Sequence, residues 1–214
     1  MTRSRLSEFQ RELLEAFFER TDGFFLTGGA ALAGFHLGHR TTEDLDLFTT
    51  KDRTEEGSES LRSAAAAIGA TVEPLRTSPT FRRSLVRRGN EGVVVDLVLD
   101  STAQFHEQKL ERGRIRLDPP EEILANKLCA LLSRSELRDL VEVLELEWSG
   151  HDIGRALAGA MRKDSDLSPG QLAWVLSGIR IGDDARVPGD RSPEELRAYL
   201  VDLRARLARM AMPR

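Results

Sequence analysis

The hydrophobic period of this chain changes once, near residue 118, and that change limits the fold more than any other feature. Before it, short apolar segments are separated by turn residues. "FFLT" at 24–27 reads as a strand, "EDLDLF" at 43–48 alternates acid and apolar residues at period two, and "TVEPLR" and "FRRSLVRR" are strand-like. "GNEG" makes a turn ahead of "VVVDLVLD", the clearest strand in the chain. Helical spacing of Leu6, Phe9, Leu13, Leu14, Phe17 and Phe18 predicts an amphipathic first helix, with Ser7 and Gln10 in capping-box relation. A second helix follows Gly28 and Gly29, and an Ala-rich one is expected over residues 55–69. From Pro119 onward the apolar residues recur at helical spacing, in segments opened by proline, serine or acid and separated by Gly- or Pro-containing links. The expectation is α+β: a mixed sheet with flanking helices over residues 1–118, then an all-helical domain over 119–214.

Composition removes several classes of function. With 40% hydrophobic residues among 214, the chain can bury a sizeable core. Acidic residues outnumber basic ones, 35 to 31, so any nucleic-acid contact must be local. The one strongly basic stretch holds Arg76, Arg82, Arg83, Arg87 and Arg88 without an acid between Leu75 and Asn90; it suits RNA phosphates or a solvated hairpin face about equally. Cys129 lies in an apolar stretch and reads as a buried thiol in a reducing compartment. No segment has the apolar length of a membrane span, and the charged N-terminal stretch does not resemble a secretory signal, so a cytoplasmic protein is expected. The four histidines show no zinc-ligand spacing, and Trp148, Trp174 and Tyr199 read as core residues.

Chemistry concentrates on three aspartates. Asp44 and Asp46 share one strand face about 7 Å apart, where at an effective dielectric near 20 their repulsion is about 2 kcal/mol. Bound Mg²⁺ or Mn²⁺ would reverse that cost. The bland alternative is that the pair lines the solvent face of an edge strand. Asp96 interrupts the apolar run "VVVDLVLD", where a buried strand has little structural use for a charge. Three carboxylates on adjacent strands can hold two metal ions for phosphoryl chemistry, with Asp96 as third ligand and general base. Gly28 and Gly29, between a strand and a helix, can present backbone amides to a triphosphate or merely turn the chain; neither a P-loop nor a G-x-G-x-x-G pattern is present.

"LTGGAALAGFHLGHRTTEDLDLF" followed by "ANKLCALLSRSELRDLVEVL" resembles the AbiEii/AbiGii toxin family of type IV toxin–antitoxin systems, within the DNA polymerase β-like nucleotidyltransferase superfamily. The resemblance rests on Gly28, Gly29, Arg40, Thr42, Asp44 and Asp46 in the first block, and on Lys127, Arg134, Arg138 and Asp139 in the second. The chain has Glu142 where the family often has an aspartate, and its C-terminal part is short for the family. The resemblance implies a nucleotidyltransferase-like sheet and an NTP substrate. It also implies that Lys127 and Asp139 point into the nucleotide cleft, with Lys127 meeting phosphate, while the divalent metal on Asp44, Asp46 and Asp96 is the reading of the strand carboxylates themselves. Arg40 and Thr42 fall with the nucleotide-binding residues. The acceptor would be an RNA, such as a tRNA 3′ end, or a protein hydroxyl, and a separately encoded antitoxin would be the partner. A metal-dependent phosphohydrolase or nuclease, or a non-catalytic binding module on the same fold, are the alternatives.

Overall fold

The computed structural model describes residues 5–212 and divides the chain into two compact units. One comprises residues up to Thr102 with Gln108–Pro119; the other comprises Ala103–Glu107 and the chain from Pro120 onward.

In the first unit, Ser7 and Gln10 form the expected capping box at the start of α1 (Glu8–Phe18). The Gln10 side chain also donates to the Thr42 carbonyl at 2.8 Å, fixing the segment that enters the acidic strand. After α1 come β1 (Phe25–Thr27) and α2 (Gly28–Ala31), which runs on through a π-helical turn at Leu32–His36. Then follow β2 (Asp44–Thr49), α3 (Thr54–Ala67), β3 (Thr71–Thr77), β4 (Phe81–Arg88), β5 (Glu91–Leu99), β6 (Leu110–Arg112) and β7 (Ile115–Leu117). The seven strands make one mixed sheet in the order β3-β4-β5-β2-β1-β7-β6. β2 runs parallel to β5 and antiparallel to β1, and β1 runs parallel to β7. The acidic strand is therefore central, which removes the edge-strand alternative.

Period-two alternation gives β2 its two faces: Leu45 and Leu47 are buried in the core, and Asp44 and Asp46 are half-buried on the other side. The core of this unit also holds Phe17 and Phe24, whose rings meet edge-on at 5.5 Å, and Leu61 of α3, all essentially solvent-free. Sequence reading has no β6 or β7, because three-residue strands are too short for a periodic signal. Their hairpin turns at Gly113, where φ is +61°, and is anchored by a buried ion pair between Lys109 and Asp118 at 2.7 Å.

The second unit contains α4 (Pro120–Arg134), α5 (Leu137–Trp148), α6 (Ile153–Lys163), α7 (Pro169–Ser177) and α8 (Pro193–Met210). Ser135, with φ of +52°, divides the first long helical stretch into α4 and α5. Ser168 caps α7, and Ser192 with Glu195 makes a capping box on α8. Tyr199 is core, as expected, and donates to Glu147 at 2.7 Å. The two tryptophans are not: Trp148 and Trp174 are 54% and 76% exposed, because their helices turn other residues inward. Arg191 stacks over the Trp148 ring at 4.6 Å. Cys129 is half-buried rather than enclosed, with its thiol directed at the Ala160 carbonyl 3.7 Å away. Among the described residues no helix is long and apolar enough to cross a membrane.

Gly57 shows how tightly α3 lies against the core: a Cβ there would come 2.4 Å from the Phe24 ring. Glycine-to-alanine in an unconstrained helix gains about 0.4–1 kcal/mol. Gly57→Ala should reverse that sign and destabilise the protein by about 1–3 kcal/mol, the range for overpacking, in a urea titration. A stabilised variant would contradict the packing described.

Candidate active site

The register of the sheet lines up one row of side chains across five strands. Arg76 of β3 faces Arg83 of β4, Arg83 faces Asp96 of β5, Asp96 faces Asp46 of β2, and Asp46 faces Thr27 of β1. Register partners project from the same face and adjacent strands lie about 4.8 Å apart, so Asp46 and Asp96 are neighbours by construction. Asp44 joins them on that face two residues along β2. Its carboxylate accepts a hydrogen bond from the Thr42 hydroxyl at 2.8 Å, and Thr42 is itself held through its carbonyl by Gln10.

Gly28 follows Thr27 directly. Its φ is +62°, and an added Cβ would lie 2.5 Å from Asp46 Oδ2, so both backbone conformation and space require glycine here. The Gly-Gly turn thus does more than reverse the chain: it brings backbone against the central carboxylate and opens α2. Gly29, the next residue, is buried. Arg40 lies in the loop between α2 and β2 and donates to the Thr41 carbonyl at 2.9 Å.

Asp96, only 5% exposed, is held by a guanidinium fork. Arg83 Nε and Nη2 donate to its two oxygens at 2.8 and 2.6 Å. The hydrogen bond to Asp96 is the largest influence holding the Arg83 guanidinium above its ordinary pKa, and the charges of Asp44 and Asp46 add to it. Three of the other four arginines of the basic stretch are also engaged. Arg82 pairs with Glu55, Arg88 with Glu12 and Glu91, and Arg76 lies 5.7 Å from the Phe81 ring centroid. The stretch is therefore not an open cationic stripe.

Carboxylates alone, set on one face with glycine backbone against them, are the donor chemistry that Mg²⁺ or Mn²⁺ prefers. In kind and register Asp44, Asp46 and Asp96 fit such an ion. Among the described residues, however, no three His, Cys, Asp or Glu side chains converge as a ready-made metal site. The physical reason is visible at Asp96, both of whose oxygens face Arg83.

The second sequence block forms a compact ionic knot within the helical unit. Lys127 of α4 reaches Asp139 at 3.0 Å and Glu142 at 2.5 Å, both on α5 and both fully buried. Arg134 closes the knot with two hydrogen bonds to Asp139, at 2.7 and 2.8 Å. Lys127 thus turns onto acids rather than out to solvent, and Glu142 is one of the two. Burial opposes ionisation of Lys127, but the charges of Glu142 and Asp139 outweigh it and raise its pKa. Burial also pushes the Asp139 carboxyl up, and the Arg134 hydrogen bond with the Lys127 charge brings it below its ordinary value. Arg138, by contrast, faces Glu136 at 3.4 Å.

Sequence reasoning missed Arg83 and Thr27. The signal for Arg83 is present, because the tight turn at Gly89–Asn90 pairs Arg88 with Glu91, and counting back along both strands brings Arg83 opposite Asp96.

Asp46 and Asp96 thus face each other on neighbouring strands beside the Gly-Gly turn of a mixed α+β fold. The chain belongs to the nucleotidyl transferase AbiEii toxin family of type IV toxin–antitoxin systems, whose family model matches residues 12–176. JHP933 from Helicobacter pylori is similar in structure over 95% of this chain and 94% of its own, with a TM-score of 0.61 at 20% identity. MenT4, the nucleotidyltransferase toxin Rv2826c of Mycobacterium tuberculosis H37Rv, is similar over 96% of this chain and 83% of its own, with a TM-score of 0.58 at 15% identity. At these identities the likeness is one of fold. No curated protein sequence matches the chain significantly.

The ionic knot predicts a specific pH dependence. A carboxyl held below its ordinary value of 3.8 stabilises the fold fully above that value and loses its contribution as pH falls through the lower folded value. Lys127, raised above 10.5, contributes fully below that value and loses its share at higher pH. Asp139→Asn should therefore cost about 3–5 kcal/mol at neutral pH, the range for breaking a buried pair, and the gap to wild type should narrow below about pH 4. Urea titrations at pH 7, 5 and 3 check this; a gap of the same size at pH 3 would contradict it.

Proposed function

We propose that this enzyme transfers a nucleoside monophosphate from an NTP to a hydroxyl group of an RNA, such as a tRNA 3′ end, or of a protein. The biological setting we infer is that of a cytoplasmic toxin restrained by a separately encoded antitoxin. The observation that carries the reading is the row Asp96–Asp46–Thr27 ending at Gly28, where acid, acid and glycine backbone meet on one sheet face.

In this reading Asp44, Asp46 and Asp96 would hold Mg²⁺ or Mn²⁺, which would supply positive charge to offset that on the acceptor oxygen and the departing pyrophosphate. Asp96 accepts the hydroxyl proton as the acceptor oxygen attacks the α-phosphorus. The bond from that phosphorus to the bridging oxygen breaks, and pyrophosphate leaves with the electron pair. Thr42 orients Asp44 through its 2.8 Å hydrogen bond. The backbone amides at Gly28 and Gly29 receive triphosphate oxygens, and Arg40 adds charge to the same group. In the helical unit, Asp139 and Glu142 take two of the three ammonium donors of Lys127, and we infer a phosphate-binding role for the third.

The test is incubation of wild type and Asp46→Asn with each labelled NTP, Mg²⁺, total RNA and cell protein. Wild type should incorporate label into RNA or protein. Asp46→Asn should lower transfer by on the order of 10³-fold, the rate equivalent of about 4 kcal/mol, while remaining folded. Its melting temperature without metal should hold or rise, since one of two like charges is removed. Undiminished transfer by the variant, or product cleaved without incorporation, would overturn the proposal.

A further inference from the structure

Arg83 is placed where a cation of the proposed metal site would have to act. It occupies both oxygens of Asp96, lies in the row that contains Asp46, and is directly opposite Arg76 on β3. Like charges opposed across a strand pair repel, which pushes the Arg83 guanidinium toward the acids. While the fork holds Asp96, the same guanidinium carbon lies 5.7 Å from the centroid of the Phe81 ring, two residues back on the same face of β4. The Arg83 side chain is 45% exposed whereas that of Asp96 is 7% exposed, so the guanidinium can move without breaking core packing.

We propose that Arg83 is a resident counter-cation of the acidic row, a positioning residue that neutralises Asp96 in the metal-free protein and yields this carboxylate when a divalent ion binds. This rests on the metal-dependent reading of the site and adds to it the residue that sets metal affinity. Electrostatics favours such a device at Asp96. This nearly enclosed carboxylate, opposite Asp46 in the register, would lose the guanidinium fork that holds both its oxygens if Arg83 were absent. A fixed cation stabilises the empty site but competes with the incoming one, so metal affinity becomes the difference between the two. Arginine is suited to the exchange because its planar fork matches the carboxylate and it keeps its charge when released.

The experiment is Mn²⁺ binding, followed by the electron-spin resonance of the free ion, to wild type, Arg83→Gln, Arg83→Lys and Asp46→Asn without nucleotide. Thermal melts of each protein are taken with and without Mn²⁺. Arg83→Gln should bind Mn²⁺ about tenfold more tightly or better, since a repelling charge beside the site is gone. It should also melt lower than wild type without metal and recover most of that loss with it. Arg83→Lys, which keeps the charge but not the fork, should fall between the two, and Asp46→Asn should bind weakly. Equal Mn²⁺ affinity in wild type and Arg83→Gln, with Asp46→Asn still impaired, overturns the role of Arg83 and leaves the metal-dependent reading standing. Absence of binding by all four proteins overturns both. If Arg83→Gln does not fold, Arg83→Lys decides: an affinity no higher than wild type contradicts the exchange.

Discussion

The parallel register of β2 against β5 is the constraint on which the site depends, because it sets Asp46 beside Asp96. Side chains alternate along a strand, so a slip of one residue would send one of the two acids into the core and a leucine or valine out to the site. What prevents the slip is the apolar half of the same strands. Leu45, Leu47, Val95 and Leu97 are essentially solvent-free, and none of them can exchange faces with a carboxylate without burying charge. The hydrophobic core thereby fixes the electrostatics of the opposite face, and the repulsion between the acids is sustained by packing they do not touch.

The same division of labour runs through the turn and the hairpin. Gly28 contributes by what it lacks: its conformation and missing Cβ let the backbone lie against Asp46. The hairpin of β4 and β5 contributes through its tight turn, which brings Arg83 to Asp96. In the helical unit, the knot of Lys127, Asp139, Glu142 and Arg134 balances two cations against two buried acids and ties α4 to α5 across the break at Ser135. Buried networks of this kind are costly to assemble and costlier to break, and they fix geometry more than they add stability.

Much of this was legible in the sequence, for reasons that can be stated residue by residue. The alternation around Asp44 and Asp46 could not be a helix, and an acid in "VVVDLVLD" had to be explained by function or by a partner. Those local patterns, with the change of period near residue 118, give most of the elements. What was not legible is mostly cross-strand. The strand order that makes β2 central depends on β1 and β7, and β7 is too short to show a period. The burial of Lys127 depends on α5 folding back so that Asp139 and Glu142 face it. The exposure of Trp148 and Trp174 is a tertiary outcome too, since helical spacing says which residues share a face but not which face is covered. Arg83 belongs to the same class: composition places its charge in a basic surface stretch, and only the β4–β5 pairing beyond the Gly89–Asn90 turn sets it opposite Asp96.

The central claim is that the row from Arg83 to Gly28 is where nucleotide and metal meet. Anomalous diffraction from crystals grown with Mn²⁺ and a non-hydrolysable NTP analogue tests it most directly. The account predicts an anomalous peak bound by Asp44 and Asp46, triphosphate density against the backbone of Gly28 and Gly29, and an Arg83 fork withdrawn from Asp96. A well-occupied Mn²⁺ and nucleotide bound away from these residues, with the row unchanged, would contradict it.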